Sequence, residues 1–286
     1  MKIKVAELFY SIQGEGRYMG VPSVFLRTFG CNFRCAGFGM PRGELSTEAD
    51  DIATVAHLYN KYEELPLVST GCDSYASWHK DFKNLSPLIT NDAIVERIKE
   101  ILPHGEWLDE HLVITGGEPL LGWQKSYPEL LDMMPNLKEL TFETNGTQKL
   151  DTTFRHYLLD WTLNPRNGLG RRGKDALTFS ISAKLPCSGE AWEDAIKPEI
   201  VLSYEDIGHA YLKFVVATEQ DIQDAERAVE QYRAAGFKGH VYLMPVGGVE
   251  SVYTLNAKSV ALAAMKRGWR YSDRLQVPLF KNEWGT

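Results

Sequence analysis

Six short runs of strand-forming residues recur along this chain, starting near residues 23, 111, 138, 178, 211 and 240. Helical patterns lie between most of them, and strands alternating with helices build a parallel sheet. Nearly every run ends in a loop of Cys, Gly, Ser or Pro. In α/β barrels the reacting groups sit at those C-terminal strand ends. Asn91 reads as the cap of a helix over 92–102, a second helix spans 126–134 before Pro135, and a fourth spans 254–267. The clearest helix opens at Thr218-Glu219-Gln220-Asp221, a capping-box pattern, carries Ile222, Ala225, Val229 and Tyr232 on one face, and closes at Gly236. Further strands are expected over 3–10 and 270–277. Residues 151–177 read as irregular, with Arg171-Arg172-Gly173-Lys174 as a solvated basic loop. No linker, repeat or low-complexity tract divides the 286 residues, so a single domain is expected.

Cysteine placement points to chemistry at one of these strand ends. Three of the four cysteines lie in two short pieces, Gly30-Cys31-Asn32-Phe33-Arg34-Cys35 and Gly71-Cys72-Asp73-Ser74. Four cysteines are too few for a disulfide framework, and in a reducing compartment clustered cysteines more often mean metal or catalysis. A loop with the spacing of Cys31 and Cys35 can wrap one face of an iron–sulfur cluster. The usual third cysteine would stand at position 38, which is Phe38, and Cys72 is the replacement candidate. The residues between read as an insertion over about 36–70, with a short helix near 53–63. Cys187 belongs to no spacing and reads as structural.

With these pieces, Phe9-Tyr10-Ser11-Ile12-Gln13-Gly14-Glu15-Gly16, Thr115-Gly116-Gly117-Glu118-Pro119, Glu143-Thr144-Asn145-Gly146, Ser182-Ala183-Lys184 and Leu212-Lys213-Phe214-Val215-Val216 follow in order. Together they resemble the radical S-adenosylmethionine (SAM) enzymes called 7-carboxy-7-deazaguanine synthases, from about residue 5 to 250. The resemblance implies a modified, partial TIM-type α/β barrel of about six parallel strands. It implies ring contraction of 6-carboxy-5,6,7,8-tetrahydropterin to 7-carboxy-7-deazaguanine with loss of ammonia, in deazapurine synthesis of the queuosine type. Cys31, Cys35 and Cys72 would hold a [4Fe-4S] cluster whose open iron chelates SAM, and electron transfer would yield a 5′-deoxyadenosyl radical.

The same resemblance assigns the remaining residues. Gly117, Ser182, Ala183 and Lys184 are expected to contact SAM, with Ala183 standing where the family more often has proline. Met244, Pro245, Val246 and Gly247 occupy the place of a further SAM-binding loop. Ile12, Gln13, Gly14, Arg27 and Thr115 are expected to bind the pterin, Arg27 through its carboxylate. Ser74 is expected to ligate Mg2+, which wants hard oxygen donors. A low-potential reductant of the flavodoxin type and a homodimer are also implied, and residues from Arg274 onward resemble a segment that closes over the site.

Composition excludes some classes. The net charge of −7 argues against a broad nucleic-acid footprint. No apolar run reaches the roughly 18 residues of a membrane span, and the interleaved charges of Met1–Glu7 fit neither a signal peptide nor an anchor, so a cytoplasmic setting is expected. Two alternatives stay open on the residues alone. One is another small radical SAM enzyme, such as a glycyl-radical activating enzyme. The other is a non-catalytic zinc module, with His79 completing a three-cysteine, one-histidine set.

Overall fold

A computed structural model describes residues 1–164 and 172–286. Its strands are β1 (Lys2–Ile12), β2 (Pro22–Thr28), β3 (Leu88–Thr90), β4 (His111–Gly116), β5 (Leu140–Thr144), β6 (Leu177–Ile181), β7 (His209–Val216), β8 (Val241–Pro245) and β9 (Arg270–Tyr271). The helices are α1 (Glu48–Ala53), α2 (Asn91–Ile101), α3 (Tyr127–Asp132), α4 (Thr152–Leu163), α5 (Trp192–Ala195), α6 (Pro198–Glu205), α7 (Glu219–Ala234), α8 (Glu250–Lys266) and α9 (Gln276–Phe280). The strands form one open sheet in the order β3-β1-β2-β4-β5-β6-β7-β8-β9. From β2 to β9 every neighbouring pair is parallel, while β1 runs antiparallel to both β2 and β3. The six expected central strands are all present, so the parallel sheet is as the alternation implied and its open form as the resemblance implied.

Side chains alternate faces along a strand, and that period sorts the chemistry from the core. Leu112 and Ile114 of β4, Leu140 and Phe142 of β5, and Leu212, Phe214 and Val216 of β7 are buried in the main core beneath the helices. The residues between or beside them, Thr115, Glu143, Lys213 and Val215, line a cavity on the other face. Apolar residues on one face thus hold the sheet in register while polar ones on the other remain available for a ligand.

Five local expectations change. Asp151 caps α4 by accepting from the amides of Thr153 and Phe154, and Phe154, Leu158 and Trp161 bury one face of a helix where irregular chain was expected. The expected helix near 53–63 is instead α1 followed by single turns at Ala56–Leu58 and Tyr62–Glu64, because Tyr62, Leu65 and Val68 turn inward to a small separate core. The final strand stops at Tyr271, since Arg274 is drawn into ion pairs and α9 begins at Gln276. The α2 cap is Thr90, whose hydroxyl accepts from the Ala93 amide. Arg171 lies outside the described residues, while Arg172 donates to the carbonyls of Leu137 and Pro135 and is not solvated loop.

Candidate active site

At the C-terminal strand ends a cavity of about 250 Å³ opens. Cys31, Cys35 and Cys72 line it, together with Ile12, Gln13, Gly14, Arg27, Ser74, Thr115, Gly117, Ser182, Lys184, Met244, Val246 and Gly247. Residues from one end of the sequence to the other therefore meet in one space. Ala183 does not line it, being buried in the main core, and Pro245 pairs with Val216 as the last residue of β8.

The two cysteine pieces are stitched to each other. The Gly30 amide donates to the Ser77 carbonyl at 2.8 Å, and the Gly71 amide to the Phe38 carbonyl at 2.7 Å. Cys35 takes a left-handed φ of 52°, uncommon outside glycine, and the amides of Arg34 and Cys35 both donate to Glu190 Oε1, at 2.9 and 2.7 Å, which holds that turn. Gly117 fits only because it lacks a side chain: a Cβ there would sit 2.5 Å from the Gly30 oxygen and 2.7 Å from Cys31 Cβ. The glycine loop after β4 thus backs directly onto the first cysteine, and the Glu118 amide completes the contact by donating to the Gly30 carbonyl at 2.7 Å.

Burial pushes all three thiols up. Cys31 reaches about 12, with the nearby Glu118 carboxylate and Cys72 adding to the shift. Cys35 lies well above the ordinary thiol value, and Cys72 is raised by burial and then by Asp73. The Lys184 ammonium acts on all three in the opposite sense. Three neighbouring thiols that cannot ionise alone are a donor set suited to a cationic metal group, whose binding releases their protons. A buried donor awaits beside them: the Trp78 indole N–H has no partner of hydrogen-bond geometry among the described residues, yet it lies near enough to Cys72 to favour the thiolate. Among the described residues, no three His, Cys, Asp or Glu side chains converge on one point as a single ion requires. A four-iron cluster spreads its thiolates around its corners. His79, the zinc candidate, is occupied on both ring nitrogens, by Asp50 at 3.0 Å and the Asp81 amide at 3.3 Å. All four cysteines are free thiols.

A polar wall faces the thiols. Arg27 donates through Nε to Glu7 at 2.7 Å and through Nη1 to Ser74 Oγ at 3.0 Å. Glu143 accepts from Gln13 Nε2 and from Thr115 Oγ1, both at 3.1 Å. Glu15 pairs with Lys213 and Arg274 and accepts from Gln276 at 2.8 Å. Burial alone would raise the Glu15 carboxyl, but the Lys213 ammonium and Arg274 guanidinium reverse the sign and hold it at about 2. Asp73 is likewise held below its ordinary value, Arg274 outweighing burial. Behind the wall, burial pushes Glu118 up to about 7 although it accepts from the amides of Asn145 and Leu120 and the hydroxyl of Thr144. Glu15, Asp73, Glu143 and Lys213 had no role of their own in the sequence reading, and Arg274 and Gln276 stood there only as part of the segment expected to close over the site. For Glu143 and Lys213 the signal was there, since both sit at inward-facing strand positions.

No family model matches this chain. A 7-carboxy-7-deazaguanine synthase of Rhodopirellula baltica is 30% identical over 286 residues, spanning 99% of this chain and 88% of the relative. One of Halobacterium salinarum is 29% identical across 98% of this chain and 91% of its own length. Among solved structures, QueE from Escherichia coli matches with a TM-score of 0.52 at 18% identity, covering 95% of this chain and 93% of that one, a likeness of fold.

Proposed function

The chain belongs to the 7-carboxy-7-deazaguanine synthase family, and we propose that its cavity converts 6-carboxy-5,6,7,8-tetrahydropterin to 7-carboxy-7-deazaguanine with loss of ammonia. One observation carries the assignment of the site. Cysteines from both sides of residues 36–71 line the same cavity as Gln13, Arg27, Thr115 and Glu143, so a metal group and a polar heterocycle would be neighbours.

In this reading Cys31, Cys35 and Cys72 hold a [4Fe-4S] cluster, with the Trp78 N–H directed to the Cys72 sulfur. The cluster, together with SAM, supplies a 5′-deoxyadenosyl radical. The protein's own part is binding, orientation and charge. Gly117 leaves the backbone bare where SAM must approach, and Ser182 and Lys184, joined by a hydrogen bond of 2.9 Å, add polar contacts, as do the backbone groups of 244–247. Ala183 and Pro245 shape that wall from behind. Arg27 stays charged, and its Nη2 has no hydrogen bond among the described residues, which suits a fork-shaped contact with the pterin carboxylate. Glu143, aimed by Gln13 and Thr115, keeps spare acceptor capacity for pterin N–H groups; Ile12 and Gly14 frame the same edge. Ser74 offers a hard oxygen for Mg2+ beside Arg27.

The reading extends to the chain as one catalytic unit carrying an insertion at about 36–70, working as a homodimer with a low-potential, flavodoxin-like reductant in the cytoplasm. Among the described residues no helix is long and apolar enough to cross a membrane. The test is anaerobic reconstitution followed by reductant, SAM and carboxytetrahydropterin. A brown protein with about four irons per chain that forms the deazaguanine chromophore is expected. A colourless protein holding one zinc would end the reading.

A further inference from the structure

The segment between Cys35 and Cys72 builds a small core of its own rather than joining the main one. Ala53, Tyr62, Leu65 and Val68 pack with Tyr75, Ala76 and Phe82, which follow Cys72. Hydroxyls tie the two parts across the cysteine: Tyr62 donates to the Ala76 carbonyl at 2.9 Å and Tyr75 to the Pro66 carbonyl at 2.8 Å. Into this core comes a residue from far away in sequence. The Trp284 ring meets Tyr62 and Tyr75 edge-on, both with centroids 5.6 Å apart, and its indole N–H donates to the Leu65 carbonyl at 3.1 Å. Edge-to-face rings at this distance attract beyond their simple burial.

Between β9 and Trp284 the chain crosses the mouth of the cavity. Arg274, Gln276, Asn282, Glu283, Trp284 and Thr286 all line it. Arg274 anchors one end on Asp73, Glu15 and the Gly247 carbonyl, and Asn282 donates to the Gly248 carbonyl at 2.9 Å. The return toward Trp284 is made by Lys281 and Asn282 at φ 55° and 57°. Left-handed backbone at two successive residues, neither of them glycine, persists only when contacts on both sides hold it. Arg274 holds one side and the Trp284 seat the other.

We propose that the segment between Cys35 and Cys72 is the seat of a latch: by gripping Trp284 it holds residues 274–286 across the cavity and so sets how tightly the pterin is retained. Trp284 is thus a positioning residue, acting through the strap it secures. Tyr62 is the informative partner, because it touches Trp284 without lining the cavity. The inference rests on the function proposed above, and its test separates the two.

Reconstituted protein is digested with trypsin while cleavage after Lys281, which is exposed, is followed by mass spectrometry. The same preparations give KM and kcat for carboxytetrahydropterin, with circular dichroism as the check on folding. Losing two edge-to-face contacts corresponds to about a tenfold change. Trp284→Ala should speed cleavage and raise KM by about that factor, Tyr62→Leu, which removes one of the two contacts, should do both to a smaller extent, kcat should move far less in each, and the double variant should add little to Trp284→Ala. Trp284→Phe, which keeps a ring, should restore most of both. Cleavage unchanged in folded Trp284→Ala, or faster cleavage with unchanged KM, would overturn the latch. If the wild-type chain itself turned over no carboxypterin, the functional reading would fail, and the cleavage rates of the two variants would still decide whether the strap is latched.

Discussion

A thiol buried among other thiols and carboxylates stays protonated unless a cation arrives, and Cys31, Cys35 and Cys72 all stand in that state. Removing any one leaves a metal group with two thiolates. Cys72→Ala is therefore expected to lose iron as completely as Cys31→Ala, read as iron per chain after reconstitution; a Cys72→Ala protein with a full cluster would sink the split site. Ser74 is a subtler case. Its hydroxyl accepts from Arg27 and donates to Asp73, so Ser74→Ala should keep iron content and SAM cleavage while the dependence of turnover on Mg2+ disappears; unchanged magnesium activation would count against it. Both residues were singled out in the sequence by the resemblance of Cys72-Asp73-Ser74 to the family's motif. The ion pairs of Arg274 were not legible there. Its partners Glu15 and Asp73 lie 259 and 201 positions away, and nothing local to an arginine announces a distant carboxylate.

Elements matter here through how their ends meet. The loop after β4 presses on the first cysteine loop with no space for a methyl group at Gly117, and the atoms it would strike are the Gly30 backbone and Cys31 Cβ, which cannot swing aside. Gly117→Ala should therefore destabilise by about 1–3 kcal/mol, the usual range for overpacking, and should also lower iron loading. Thermal unfolding and iron content check this together; a normal cluster with normal Tm would mean that the two loops are not in contact. This differs from the role read from sequence, where the glycine served only to admit SAM. At this scale the regular parts were legible: the β4 to β8 strands and α7, whose capping box of Thr218 and Asp221 is formed as expected, announce themselves by period. The helix α4 hid behind two threonines and a weak amphipathic signal, though Phe154, Leu158 and Trp161 carry the right spacing. The segment 53–63 misled for the opposite reason, since its apolar residues serve a local core whose partners, Tyr75, Phe82 and Trp284, no window of sequence contains.

Across the whole molecule, one buried charge group joins parts that the chain order keeps apart. Glu15 follows β1, Lys213 lies in β7, Asp73 follows a cysteine, and Arg274 begins the strap. With two cations and two carboxylates, the group is balanced only while both carboxylates are ionised. Glu15 is held at about 2 against an ordinary 4.5, so between those values the unfolded chain binds the proton that the folded one refuses. The stability this contributes is complete above about pH 4.5 and is lost as pH falls toward 2, an amount of about 3 kcal/mol. Glu118 has the opposite sign. Burial holds it at about 7, so the folded chain keeps its proton longer and stability falls as pH rises from about 4.5 to 7. Glu15→Gln separates them. It leaves Lys213 and Arg274 short of one negative charge in a buried place, which at pH 7 should cost about 3–5 kcal/mol. Below pH 4.5 the wild-type carboxylate takes up a proton in the unfolded chain while the folded chain keeps it ionised, so the difference in stability between the two proteins should shrink as pH falls from 5 to 3. Chemical denaturation at several pH values measures that difference. A gap that stays constant would mean that Glu15 is not the charge that binds the strap, the strand β7 and the cysteine loop into one site.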